Sequence, residues 1–180
     1  MTNLSITKEA LASALVALLQ EEPLSKISIK DITDSCDISR NTFYYHFRDK
    51  YELINWIFYT EMSEKINSFT DPSKICDTFV EVCKILYSNR KFYLACFQYT
   101  GQNSLYDFIF DFFFHLWKDN LDSLQSSSMK RISDDELNIM AKLKTHSMLG
   151  MLTDWVRNGM HQNYMVYFEQ MPSALEKGLK

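Results

Sequence analysis

Residues that break helices are scarce in this chain, and their scarcity limits the folds that it can adopt. No glycine precedes Gly101, and the three prolines stand far apart, at positions 23, 72 and 172. Apolar residues recur every three or four positions nearly throughout, whereas the sustained alternation of a half-buried strand is absent. With 46% hydrophobic residues, the chain can also bury a sizeable core. The sequence therefore predicts an all-α protein.

Capping residues and prolines set the ends of the predicted helices. Thr7 is a suitable cap for the first helix, which Pro23 ends, and Ser28 and Ser39 are suitable caps for the two short helices that follow. Ser133 opens a later helix in the capping-box pattern, with a glutamate at the third helical position. The predicted helices cover about 7–22, 29–35, 40–47, 49–68, 72–88, 91–99, 104–125, 133–158 and 163–178.

The segment from residue 28 to residue 50 contains two short amphipathic helices joined by a three-residue turn, which is the spacing of a helix-turn-helix. Asp37 lies in that turn, where aspartate tolerates a left-handed backbone better than most residues. Phe43 and Phe47 stand four positions apart and are expected to anchor the second helix. The spacing alone leaves a DNA-binding motif and an ordinary helix pair open, because the first 50 residues hold 6 Lys and Arg against 7 Asp and Glu.

The face that the second short helix is expected to expose carries side chains that suit DNA. It consists of Arg40, Asn41, Thr42, Tyr44, Tyr45 and His46. Arginine matches O6 and N7 of guanine, asparagine matches N6 and N7 of adenine, and hydroxyls or imidazole reach phosphate oxygens. The N-terminal residues of a recognition helix lie closest to the base edges, so Arg40 and Asn41 are the predicted base readers.

The run from Thr42 to Phe47, with the sequence TFYYHF, is followed by Asp49-Lys50 and Glu52-Leu53. This pattern resembles the signature of the TetR/AcrR family of bacterial transcriptional regulators, and the resemblance covers roughly Ile6 to Phe58. It implies a cytoplasmic, all-α homodimer that binds double-stranded DNA in a sequence-specific manner.

The resemblance also implies a division into two domains. Residues 1–50 would form a three-helix DNA-binding head, and residues 51–180 a divergent helical body for ligand binding and dimerisation. A linking helix at about 49–68 would join them. Position 37 is commonly glycine in the family, so Asp37 is a departure from the family pattern at the turn.

Matched position by position, the resemblance assigns Thr42, Tyr44 and His46 mainly to phosphate contact and entry into the groove. Lys50, at the start of the linking helix, corresponds to a residue that contacts phosphate in the family. Ser28 is expected to contact phosphate through its capping position. These roles are implied by the resemblance and do not follow from the spacing of the residues.

The body leaves two functions open. Asn89–Tyr93 and Asp154–Gly159 loosely resemble a subgroup of the family that includes the activator of a dihydroxyacetone kinase operon. The main hypothesis is an effector-responsive repressor, which a small apolar ligand releases from its operator. The alternative is a transcriptional activator or scaffold whose body binds a protein co-regulator.

Aromatic and methionine side chains recur at helical spacing in the body and are the candidates for an apolar ligand pocket. The candidate ligand-binding residues are Phe79, Phe97, Phe112, Trp117, Met148, Met151 and Trp155. The same spacing is also typical of side chains that simply fill a helical core. The sequence leaves both interpretations open for each of these residues.

The long helices predicted at 133–158 and 163–178 correspond to the usual dimerisation elements of the family. Their apolar positions are numerous enough to supply a core and an interface together. In the first of them these positions are Leu137, Met140, Leu143, Met148, Leu152 and Trp155. A two-fold dimer would place two heads on a palindromic operator.

Composition and motifs exclude several other classes of protein. The net charge of −4 argues against coating nucleic acid by bulk attraction. The four cysteines lack the spacing of a zinc site and are expected to act as small buried hydrophobes instead of redox sensors. The histidines lack ligand partners, so no metal or cofactor is predicted. No catalytic motif is present, which indicates a protein that is not an enzyme. Neither a signal peptide nor a membrane span is predicted.

Overall fold

The computed structural model describes residues 3–65, 74–126, 132–161, 166 and 168–170. All regular structure in this part of the chain is helical, so the predicted all-α fold is confirmed. The helices are α1 (Asn3–Glu21), α2 (Ile29–Ser35), α3 (Arg40–His46), α4 (Lys50–Lys65), α5 (Ile75–Ser88), α6 (Arg90–Phe97), α7 (Leu105–Ser126) and α8 (Asp134–Arg157). The predicted helix at 163–178 lies mostly outside the described residues. Among the described helices, none combines the length and the hydropathy that crossing a membrane requires.

The helices belong to two compact units. The first unit extends to Glu61 and also takes in Asn89–Tyr106, so it contains α1 to α3, most of α4, and α6. The second unit contains α5, most of α7, and α8. Helix α6 packs on α1, and Lys91 Nζ donates a hydrogen bond of 2.7 Å to the carbonyl oxygen of Gln20. The functional division near residue 50 stays a prediction, because compactness does not say which segment binds DNA.

The core of the first unit is built on one face of α1. Leu11 and Leu15 are fully buried there, as are Phe43 of α3 and Phe58 of α4. The helix begins at Asn3, four residues before the predicted start at Thr7. Thr7 is therefore an interior residue, and its predicted capping role is wrong.

Local hydrogen bonds from side chains fix the starts of α2 and α4. Ser28 caps α2, as predicted, and its bonds with Asp31 complete a capping box. At α4, Asp49 Oδ1 accepts the backbone N–H groups of Tyr51 and Glu52 at 2.9 and 2.7 Å. The Glu52 carboxylate accepts the N–H of Arg48 at 2.6 Å, which adds a second side-chain bond at the start of this helix.

Rings packed edge to face fill the core of the second unit. Phe79 contacts Phe113 and Phe168, with ring centroids 5.7 and 5.4 Å apart, and Trp155 also packs on Phe168 at 5.3 Å. All four rings are essentially inaccessible to solvent. Ser133 and Glu136 form the predicted capping box at the start of α8. This capping box fixes the start of α8.

Candidate nucleic-acid interface

Helix α3 is capped at its start and anchored by aromatic side chains on its inner side. Ser39 Oγ accepts the backbone N–H of Thr42 at 3.1 Å and lies 2.8 Å from the Thr42 hydroxyl. Phe43 is fully buried, and its ring lies 5.9 Å from that of Phe47. Phe47 in turn contacts Trp56 of α4 at 5.9 Å. The predicted anchoring by two phenylalanines is confirmed, and it fixes which face of α3 points outward.

The outward face of α3 is rich in large side chains that the fold leaves uncovered. Arg40 and Asn41 are exposed at its first turn. Tyr44 is 56% exposed and Tyr45 is 76% exposed, although tyrosine rings usually bury most of their apolar surface. The Tyr45 ring meets His46 edge to face at 5.0 Å. Together with half-buried Thr42, these side chains form one continuous surface that can meet a partner.

The turn between α2 and α3 has the geometry that the sequence predicts. Asp37 has a φ of 54°, in the left-handed region. The N–H of Ile38 donates to the carbonyl oxygen of Thr33 at 3.0 Å, which closes the turn. Cys36 donates its thiol to the Ile32 carbonyl oxygen at 3.2 Å, and burial raises the pKa of this thiol. A raised thiol pKa disfavours the reactive thiolate and agrees with the expectation of an inert cysteine.

Ser28 uses its polar groups within its own capping box. Its hydroxyl and its N–H donate to Asp31 Oδ2 at 2.7 and 2.8 Å, and these bonds lower the pKa of Asp31. A phosphate oxygen would have to compete with this carboxylate for the hydroxyl hydrogen. The predicted contact between Ser28 and DNA stays a prediction.

Lys50 is tied to the backbone that precedes α2. Its Nζ donates to the carbonyl oxygens of Leu24 and Ile27, each at 2.6 Å. Burial lowers the pKa of this ammonium group, and the nearby Asp31 opposes that change. Because an ammonium group has three N–H donors, one donor remains for a phosphate oxygen. Lys50 therefore holds the α1–α2 connection whether or not it also touches DNA.

Two residues near this surface were not identified from the sequence as part of the site. Lys8 of α1 places Nζ 5.4 Å from the ring centroid of Phe47 and 5.7 Å from that of Trp56. Asn103, from the connection between α6 and α7, donates its side-chain amide to Asp49 Oδ2 at 3.2 Å. Asn103 and Asp49 are 54 positions apart, so no local sequence pattern reveals the contact.

The candidate ligand-binding residues do not share one environment. Phe97 belongs to the first unit, and the other six belong to the second. Phe79 and Trp155 are fully buried in the aromatic core, whereas Met151 is 39% exposed. Trp117 Nε1 lies 3.0 Å from the sulfur of buried Met148, and Phe97, Phe112 and Trp117 are half-buried. A depression of about 300 Å³ occurs elsewhere, between the end of α1 and α6, and none of the seven residues lines it.

Comparison with known proteins gives two family-model matches that together cover most of the chain. The model of bacterial regulatory proteins of the tetR family matches residues 8–57. A model of the C-terminal region of transcriptional regulators, also of the TetR type, matches residues 74–177.

One curated relative and two solved structures extend these matches. The chain is 31% identical over 120 residues to the HTH-type dhaKLM operon transcriptional activator of Lactococcus lactis subsp. lactis (strain IL1403). The match spans 66% of this chain and 60% of the relative, less than two thirds of its length. A solved structure of a dihydroxyacetone kinase operon activator aligns with a TM-score of 0.66 at 22% identity over 96% of both chains. Salmonella enterica GusR aligns with a TM-score of 0.59 at 17% identity over 98% of both chains. At these identities the solved structures support the fold alone.

Proposed function

The chain belongs to the TetR family of bacterial regulatory proteins, and we propose that it regulates transcription by binding a palindromic operator as a homodimer. The observation that carries this proposal is the outward face of α3. Helix α3 is capped at its start and anchored on its inner side. Its outward face nevertheless leaves four side chains exposed, those of Arg40, Asn41, Tyr44 and Tyr45. A regulator that binds DNA in this way works in the bacterial cytoplasm.

Each side chain of the outward face has a role that its chemistry suits. Arg40 and Asn41, in the first turn of α3, read base edges in the major groove. The hydroxyl and imidazole groups behind them contact phosphates and fix the register of the helix on the duplex. The phosphate-contacting residues in this proposal are Ser28, Thr42, Tyr44, Tyr45, His46 and Lys50.

The homodimer is supported by the outer face of α8. Ile139 is 57% exposed and Leu143 is 63% exposed, and they lie one turn apart on the same side of the helix. Gly150 continues this side, and apart from its chain neighbours and the nearby backbone of its own helix, no atom of the described chain lies within 4 Å of the point where a Cβ would stand. A glycine inside an exposed helix costs about 1 kcal/mol relative to alanine, so it needs another reason to be there. Close approach of a second α8 helix would supply one.

For the body, the main proposal is an effector-responsive repressor that a small apolar ligand releases from the operator. A second candidate, an activator or scaffold that binds a protein co-regulator, is favoured by two observations. Phe79 and Trp155 are occupied by ring contacts with their neighbours, which leaves them as core residues. The curated relative is itself named an operon activator. A titration with apolar ligands that leaves operator binding unchanged would favour the second candidate.

The proposal is tested first with the wild-type protein. We expect its mass at micromolar concentration, measured by sedimentation, to be that of a dimer. Selection from a random duplex library should enrich a palindrome whose half-sites lie roughly 34 Å apart, one helical turn of DNA. A single recognition helix reads too few base pairs to find one site in a genome, so both results are needed. A strict monomer that enriches no palindrome would contradict the proposal.

Lys50→Ala should weaken binding to operator and to random DNA by similar factors. The salt slope of log K should fall by about one unit per head, because one phosphate contact is lost. The matched control is Lys26→Ala, which removes an exposed lysine from the connection between α1 and α2. This change should leave the salt slope unchanged. The thermal midpoint of Lys50→Ala should also fall, since the carbonyl oxygens of Leu24 and Ile27 lose their donor. A lower midpoint with an unchanged slope would make Lys50 purely structural.

A further inference from the structure

The connection between α6 and α7, residues 98–104, is bound to the first two turns of α4. Asn103 donates its side-chain amide to Asp49 Oδ2 at 3.2 Å. In the opposite direction, Asn55 Nδ2 donates to the backbone carbonyl oxygen of Asn103 at 3.2 Å. The Asp49 carboxylate thus has two tasks, because its other oxygen caps α4. We call residues 98–104 the clasp loop.

The clasp loop has a backbone shaped for these contacts. Asn103 has a φ of 64°, a left-handed conformation that asparagine tolerates and most residues do not. A Cβ on Gly101 would lie 2.4 Å from the Tyr99 hydroxyl oxygen, so any larger residue at this position would have to displace that ring. The Tyr99 hydroxyl donates to the carbonyl oxygen of Gln102 at 3.1 Å. The Tyr99 ring stacks on Tyr51 of α4, with centroids 3.6 Å apart and planes 8° apart.

The first turn of α4 is closely coupled to the outward face of α3. Helix α3 ends at His46 and α4 begins at Lys50, so a short link joins them. Phe47 in that link packs between Phe43 of α3 and Trp56 of α4. A displacement of the first turn of α4 therefore shifts α3 as well.

We propose that Asn103 is a positioning residue for DNA binding, which holds the first turn of α4, and through it α3, in the orientation that reads the operator. The inference rests on the proposed function, since it concerns the affinity of α3 for DNA. Asn103 touches no part of the outward face and acts through Asp49.

Asn103→Asp tests this role because it places a second carboxylate against Asp49 Oδ2. Aspartate also tolerates the left-handed backbone, so the main change is repulsion between like charges. Binding to the palindrome selected by the wild-type protein should weaken about tenfold or more, because the repulsion displaces the clasp loop. The control is Gln102→Glu, which adds the same charge at the exposed neighbouring position and should change affinity by less than about threefold. The salt slope of Asn103→Asp should match that of the control, since no phosphate contact is removed.

The exchange Asp49→Asn with Asn103→Asp separates positioning from loss of fold. It restores a donor facing an acceptor, keeps a capping side chain at position 49 and returns the net charge to that of the wild type. The double variant should bind the selected palindrome within about threefold of the wild type, although Asn103→Asp alone does not. Circular dichroism establishes that each variant is folded at the assay temperature.

The outcomes distinguish this inference from the proposed function. If the wild-type protein selects no DNA sequence, the proposed function fails. If it selects a palindrome and Asn103→Asp binds it as tightly as Gln102→Glu, the positioning role is wrong. If Asn103→Asp does not fold, the test uses the folded double variant. Weak binding of the selected palindrome by the double variant also contradicts the positioning role of Asn103.

Discussion

Leu143→Glu is expected to convert the dimer into folded monomers. Leu143 is 63% exposed in the single chain, so a glutamate there meets water in the monomer and costs little. In a two-fold dimer, the same side chain and its symmetry copy would be buried without partners, at a cost of several kcal/mol. Each 1.4 kcal/mol is a factor of ten, so the dimer dissociation constant should rise about a hundredfold or more. Sedimentation velocity over a concentration series measures the shift.

The same variant should lose most of its affinity for the operator, because one head alone makes half of the contacts. Leu152→Glu is the contrasting variant on the same helix. Leu152 is fully buried inside its own chain, and an unpaired carboxylate there should unfold the second unit. A Leu143→Glu protein that remains dimeric and binds normally would rule out this face of α8 as the interface.

Gly150→Ala tests the same interface with a smaller change. The added methyl group has open space around it in the single chain, and alanine favours the helix by about 1 kcal/mol. In the Leu143→Glu background, which is expected to be monomeric, Gly150→Ala should therefore raise the thermal midpoint. In the otherwise unaltered dimer, it should weaken association, because it separates two closely packed helices. Stabilisation in both backgrounds would mean that nothing approaches Gly150.

The contrast between Leu143 and Leu152 shows where the sequence stops being informative. Both are leucines at helical spacing, and both were candidates for the core and for the interface. Only the packing of the second unit assigns Leu152 to the core and leaves Leu143 outside. Helical periodicity predicts that an apolar face exists, but it does not say which neighbouring element covers each position.

Features that depend on a few adjacent residues were predicted more accurately. The caps at Ser28 and Ser39 and the left-handed Asp37 each depend on chemistry within four positions. The contact of Asn103 with Asp49 depends instead on how distant segments pack. For the same reason the sequence did not predict that α6 joins the first unit. Of the candidate interface, the exposure of Arg40, Asn41, Tyr44 and Tyr45 was therefore predictable. The half-burial of Thr42 and His46, and the support from outside the first 50 residues, were not.

Arg40→Ala should remove most of the preference for the operator over random DNA. A bidentate contact between arginine and guanine is worth about 1–3 kcal/mol of discrimination, and a dimer loses two of them. The affinity for the selected palindrome should therefore fall roughly 30-fold or more, since about 2 kcal/mol already corresponds to that factor. Asn41→Ala should act in the same way on an adenine position. Fluorescence anisotropy on operator and random duplexes of equal length gives both affinities.

Two further variants separate reading of bases from loss of charge. Arg40→Lys keeps the positive charge but lacks the planar fork of donors, so it should lose operator affinity and keep random binding. Arg48→Ala removes an equal charge from a side chain that is 77% exposed and lies outside α3. It should weaken binding to both duplexes by the same factor, because a charge outside the groove contributes to affinity only through the phosphates. If Arg40→Ala and Arg48→Ala gave the same ratio of operator to random affinity, Arg40 would be a phosphate contact. The sequence preference would then have to come from Asn41.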